Sequence, residues 1–182
     1  MEARMMAETL KETETLPVEY PAAPAGLSAA AAALDPAPIW QRIEAYTKPR
    51  FTDREVTWLV EGQGHWEMPL TPATLSSAAR WSGEAWETVT LDAGPYGYCL
   101  PDAGPYRIVA DVGGGEVPEN ILEAFKRLAE YLSDDTDRAG ASSYSVNMGG
   151  AIEESYQRNA AWVAKALIYS GAADLLRPYR RA

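Results

Sequence analysis

The chain has 182 residues, with 26 acidic against 16 basic side chains and a formal net charge of −10. That balance argues against a general nucleic-acid or anionic-membrane binder, because both rely on a positive field to displace counterions. A single cysteine, Cys99, excludes an internal disulfide and every multi-cysteine metal site, and no apolar run approaches the roughly 20 residues that span a bilayer.

The length suits one ordinary domain, which would bury roughly 70% of its unfolded surface without staples. Six Trp and ten Tyr are more than a small core needs. Large aromatics in surplus are common at protein–protein interfaces, where they give area and a polar handle together. The lone thiol and the polar, acidic start from Met1 to Glu14 read as a soluble, cytosolic chain without a signal peptide.

Residues 1–26 read as an extended arm. Leu10, Leu16, Val18 and Tyr20 are its sizeable anchors, and Pro17, Pro21 and Pro24 break any helix. Leu27 to Leu34 is an alanine run of high helix propensity. Asp35 is a good N-cap and Pro36 a good first helical residue, so a helix should begin there. Its apolar positions Ile39, Trp40, Ile43 and Tyr46 share one face, and Pro49 ends it.

The period then changes to two. Val56–Val60, Ser76–Trp81, Trp86–Leu91, Tyr96–Leu100 and Tyr106–Val112 read as short strands, with a hairpin turn at Ser82-Gly83-Glu84. Such spacing predicts an antiparallel sheet of four to six strands over 54–112. Helix returns at Pro118, where Ile121, Leu122, Phe125, Leu128, Ala129 and Leu132 make the clearest amphipathic stripe in the chain. Residues 133–149 read as a polar loop. A last long helix is expected over 152–170, with apolar residues on two sides and Gly171 as its C-cap. The expected fold is thus α+β: a helical domain of four to five helices over 27–182, carrying a small antiparallel sheet insertion.

Chemistry has little to work with. His65 is the only histidine, so a Ser-His-Asp or Cys-His site would have to use it. Zinc and iron sites usually draw on two or more His or Cys ligands. Asp134, Asp135 and Asp137 lack the alternating spacing and glycine of a calcium loop, and Gly113-Gly114-Gly115 lacks the Lys and Ser/Thr of a phosphate loop. No catalytic residue, metal or cofactor is assigned. At the C-terminus Arg177, Arg180 and Arg181 place three cations beside Tyr179 on an acidic chain, either as a helix cap or as a docking tail.

Four stretches share an order with a known family. Leu27–Leu34 and Ile39–Phe51 contain Glu44-Ala45-Tyr46-Thr47, similar to an "E-x-Y-T-G" ending with Lys48 in place of the glycine. The variable region 54–112 follows, then Val117-Pro118-Glu119-Asn120-Ile121 with Phe125-Lys126 and Tyr131, then Leu175-Leu176-Arg177-Pro178-Tyr179-Arg180. In these the chain resembles the head–tail connector (head-completion or adaptor) proteins of long-tailed bacteriophages, in the version carried by gene transfer agents. The family's Glu-Asn-Arg after the third helix is absent, and Leu-Ser-Asp-Asp-Thr-Asp-Arg stands at 132–138.

The resemblance implies a structural subunit of a phage-like particle, assembled in the bacterial cytoplasm and sited in the neck. Copies would form a ring, usually a dodecamer, beneath the portal, with the stopper or tail-completion protein on the other face. DNA would pass through the channel without specific binding, and no membrane is involved. Arg177, Tyr179, Arg180 and Arg181 would contact the portal. Trp162 and Tyr169, with some of Trp58, Trp66, Trp81 and Trp86, would lie at subunit contacts. Deleting 175–182 is then expected to leave a folded protein that no longer joins the particle. The alternatives are a small ligand-binding or regulatory domain with a pocket on the sheet, and a hydrolase using His65.

Overall fold

A computed structural model describes residues 7–134, 141–147, 153–158 and 164–181. The chain divides into two compact units that interleave in sequence. One comprises Met1–Glu19 with Lys48–Glu116, the other Tyr20–Thr47 with Val117–Ala182.

The first unit is all β. In chain order its strands are β1 (Glu8–Glu14), β2 (Arg54–Glu61), β3 (Gly64–Trp66), β4 (Ala73–Trp81), β5 (Trp86–Thr88), β6 (Asp92–Gly94), β7 (Gly97–Leu100) and β8 (Pro105–Val112). They form a five-stranded sheet in the order β1-β2-β8-β4-β5 and a three-stranded sheet in the order β3-β7-β6. Every pair is antiparallel. Period-two alternation sets the faces. Val56, Trp58 and Val60 on β2 and Tyr106, Ile108, Ala110 and Val112 on β8 point into a core shared with Trp66, Met68, Leu70 and Leu100. Trp58 and Trp66 meet edge to face at 5.6 Å. Two glycines are dictated by close approach: Gly97 (φ +90) and Gly113 (φ +110) lie where a Cβ would strike the carbonyl oxygens of Trp66 and Thr52.

β1 joins the sheet by different means. Its core-facing positions are polar, and each meets a donor. The Trp58 indole N–H donates to Glu12 Oε2 at 2.9 Å, and the Trp66 indole N–H donates to Thr9 Oγ1 at 2.8 Å. Buried indoles need such acceptors. Arg50 donates to both oxygens of Glu14 through Nε and Nη2, each at 2.8 Å, and Arg54 Nη1 adds a third contact at 3.2 Å. The Arg50 side chain is only 3% exposed. Its hydrogen bonds hold the Glu14 carboxyl below its ordinary value of 4.5, against the opposing effect of partial burial, and the charges of Arg50 and Arg54 add to the lowering.

The second unit is helical around one long element. Its helices are α1 (Ala29–Ala32), α2 (Pro36–Tyr46), α3 (Glu119–Ser133), α4 (Ala166–Tyr169) and α5 (Ala172–Leu176), and strands β9 (Ala141–Asn147) and β10 (Glu153–Arg158) pair as an antiparallel ribbon. α2 starts at the Asp35 cap, whose carboxylate accepts from the Ala37 N–H. α3 buries Ile121, Ala124, Phe125, Leu128 and Ala129 and packs against α1, α2, α4 and α5. Trp40 lies 4.9 Å from Phe125 and donates its indole N–H to the Pro21 carbonyl. α1 is capped from within and from afar. Ser28 Oγ accepts from Ala31 N–H, while Glu130 of α3 accepts from both the Ser28 N–H at 2.6 Å and its hydroxyl at 2.7 Å.

The expected helical domain with a small sheet insertion is therefore corrected. Among the described residues the fold is mostly β, with eight strands in two antiparallel sheets, a separate two-stranded ribbon, and short helices apart from the 15-residue α3. Part of the segment read as an arm is β1. The alanine run forms one helical turn, and Glu153–Arg158 of the expected helix 152–170 is strand, facing Ala141–Asn147 of the expected loop. Helix propensity is a weak prior that long-range pairing overrides. Among the described residues no helix is long and apolar enough to cross a membrane.

Candidate functional site

The C-terminal tail is built on a buried anchor. Leu176 ends α5 fully buried, and Arg177–Tyr179 then turn as a short 3-10 helix with Pro178 inside it. Beyond it the backbone is strapped to the end of α2. Arg180 forms an antiparallel bridge with Thr47, and the Arg181 N–H donates to the Tyr46 carbonyl at 3.2 Å. The Arg180 guanidinium sits 5.8 Å above the Tyr46 ring, within cation–π range. Arg177 reaches Asp174 at 3.9 Å, a loose pair with both side chains about four-fifths exposed. Arg177 and Arg180 are thus held at the surface by main-chain bonds, while Tyr179 is half-buried and Arg181 exposed. Two stretches far apart in sequence are thereby joined, Tyr46–Thr47 to Arg180–Arg181, while Glu44, Thr47 and Leu176 are buried.

The aromatic residues divide sharply. Trp58 and Trp66 are 0% and 4% exposed, and both indole N–H groups are satisfied inside the β unit. Of the four tryptophans from which subunit contacts are expected, these two are removed: they are core, because β1 gives their polar atoms partners and so lets the rings be buried. Trp81 and Trp86 face each other across the β4–β5 pair on the opposite side of the sheet, 5.4 Å apart. Arg107 of β8 lies 5.0 Å over the Trp86 ring, and Leu59 is its cross-strand partner on β2. This makes a half-exposed patch of Leu59, Arg107, Trp81 and Trp86. Tyr169 is 47% exposed beside the still more exposed Ile168, whereas Ala166 of the same turn is buried. Trp162 lies outside the described residues.

His65 sits on β3 directly opposite Cys99 on β7, and Cys99 faces Asp92 on β6. All three are exposed, and the His65 ring contacts Tyr96 at 5.8 Å. Among the described residues no group of three or more His, Cys, Asp or Glu is placed to hold a metal ion.

An open cleft of about 1030 Å³ lies in the helical unit, not on the sheet, and is lined by Ser28, Lys126, Glu130, Tyr131, Tyr169 and Ser170 among others. The Ser28 N–H, followed by its hydroxyl, lowers the Glu130 carboxyl from its ordinary value. Burial, followed by the neighbouring Tyr169 and Asp134, raises the Tyr131 hydroxyl. Of these groups, Ser28 and Glu130 already serve the fold, as the cap that joins α1 to α3.

Sequence reasoning missed the Glu14–Arg50–Arg54 cluster, the two indole acceptors on β1 and the Ser28–Glu130 cap. One signal was available: β2 alternates Val56, Trp58 and Val60, which places Trp58 inward and asks for an acceptor nearby. Comparisons of the chain with known protein families, with curated proteins and with solved structures find no match.

Proposed function

We propose that the chain is a structural adaptor subunit, one copy in a ring beneath the portal of a phage-like particle or gene transfer agent, joining the DNA-filled head to the stopper and tail. The observation that carries this reading is the tail. Two of the four stretches that resemble the connector family are joined there, Tyr46–Thr47 to Arg180–Arg181, and Arg177 and Arg180 are exposed beside that joint. On a chain of net charge −10 such a fixed cationic–aromatic cap suits an acidic partner surface, since complementary charge steers docking and sets its register. The half-exposed Trp81–Trp86–Arg107 patch is of the aromatic and arginine type enriched at protein contacts.

The test is a double charge reversal, Arg177→Glu with Arg180→Glu. Both side chains are exposed, so the circular dichroism and melting profile should stay close to wild type. Incorporation into portal-containing particles should fall by about tenfold or more, the effect of losing about 1.4 kcal/mol at a docking surface. Particles assembled with undiminished occupancy by the reversed protein would refute the docking role.

A further inference from the structure

β1 pairs with β2, but the chain between them runs through residues 20–47 of the helical unit before the sheet resumes. The strand is therefore tethered to the other unit and not to its sheet neighbour by a tight turn. The tether is short and bare. After Thr15, whose N–H and hydroxyl both donate to the Glu55 carbonyl, residues 16–19 make no hydrogen bond among the described residues. Leu16 is 84% exposed and Val18 wholly so. Single exposed apolar residues are ordinary, but two on a hinge-like segment leave apolar surface where a crossing chain would cover it.

The groove that β1 fills is a specific one. Along the β2 edge stand, in order, the Trp66 indole, the Trp58 indole and the Arg50–Arg54 pair, which receive Thr9, Glu12 and Glu14. Two carboxylates meeting two guanidiniums and an indole N–H give charge complementarity at fixed spacing. β1 contributes none of its own residues to the buried apolar core. Its attachment is thus a set of directional polar contacts, plus the strand ladder, that any identical strand reproduces in full.

We propose that the β2 edge is a strand-accepting site filled in trans by Glu8–Glu14 of a second copy of this chain. Exchange preserves every contact of the groove, so only the tether distinguishes the two arrangements. In the exchanged form two tethers cross, and Leu16 and Val18 gain a partner surface. Such exchange joins copies to each other independently of portal docking, and the arginine tail plays no part in it.

Thr13 and Thr57 are directly opposite across the β1–β2 pair, with Cβ atoms about 5 Å apart by cross-strand geometry. In a Cys99→Ser background, Thr13→Cys and Thr57→Cys are made in separate full-length chains, co-expressed, and treated with a short bismaleimide. A covalent heterodimer on a denaturing gel is expected. It should exceed by about tenfold or more the yield from pairing Thr13→Cys with Thr88→Cys on the far edge, because a docked strand has a far higher effective concentration than colliding chains. The double variant Thr13→Cys/Thr57→Cys in one chain verifies that the link can form at this register. Closure of that intrachain link with no heterodimer from the separate chains would overturn the proposal, as would equal yields at Thr57 and Thr88.

Discussion

Glu14→Ala should lower the stability of the β unit by about 3 kcal/mol, the low end for breaking a buried ion pair, since the carboxylate keeps some contact with water. The magnitude follows from what remains. Arg50 is 2% exposed and Arg54 nearly as buried in its side chain, and both lose the carboxylate that offsets their desolvation. With a urea slope of about 2 kcal/mol/M the midpoint should fall by about 1.5 M. Buried Trp58 and Trp66 make fluorescence a suitable readout. A shift no larger than that of an exposed ion pair, under about 1 kcal/mol, would mean that Glu14 is incidental. The pH dependence has a definite sign. The folded-state carboxyl lies below its ordinary value of 4.5, so its contribution is fully present above that value and is lost as pH falls toward the lowered one. Wild type should therefore weaken in acid over that window, and Glu14→Ala should show less of this slope.

Deleting residues 175–182 should unfold the helical unit, contrary to what the sequence suggests. Leu176 is 0% exposed, and α5, which it ends, packs on α3. Removing it alone by Leu176→Ala should lower stability by about 3 kcal/mol, within the range for truncating a buried leucine. The full deletion also takes the Thr47–Arg180 bridge and the bond to the Tyr46 carbonyl. Loss of helical ellipticity at 222 nm measures the outcome. A deletion product with native helix content and an unchanged melting transition would show that the tail is a mere appendage. Because folding and docking are lost together in such a truncation, the charge reversal at Arg177 and Arg180 is the cleaner functional test.

Several elements were legible for physical reasons that are local. The Asp35-Pro36 start of α2, the apolar stripe of α3 and the turn at Ser82–Ala85 each follow from capping, periodicity or turn chemistry within a few residues. The elements that escaped depend on distant partners. β1 reads Glu-Thr-Leu-Lys-Glu-Thr-Glu, with polar residues on its inner side, so no hydrophobic alternation announces it. Only the indoles of Trp58 and Trp66, over forty residues away, make those polar positions sensible. The same two rings account for part of the aromatic surplus: an edge strand of acceptors let them be buried. On α4, part of the stretch expected to carry apolar residues on two sides, Ala166 is buried while Ile168 and Tyr169 are exposed. For the candidate site, the arginine tail was legible in composition, while its strap to Tyr46 and Thr47 was not.

The position of β1 at the rim of the five-stranded sheet also bears on solubility. β1 is rich in charge, with Glu8, Lys11 and Glu12 along it, and such residues blunt an open edge. The strand behind it, Arg54–Glu61, carries Val-Thr-Trp-Leu-Val, a segment of high β propensity and no internal charge. Without β1 that segment would become the bare edge, a template for further strands and a start for fibrils. A chain cut before Thr15 should scatter light increasingly with concentration where the intact chain stays clear, so the charged first strand acts as the gatekeeper of the sheet.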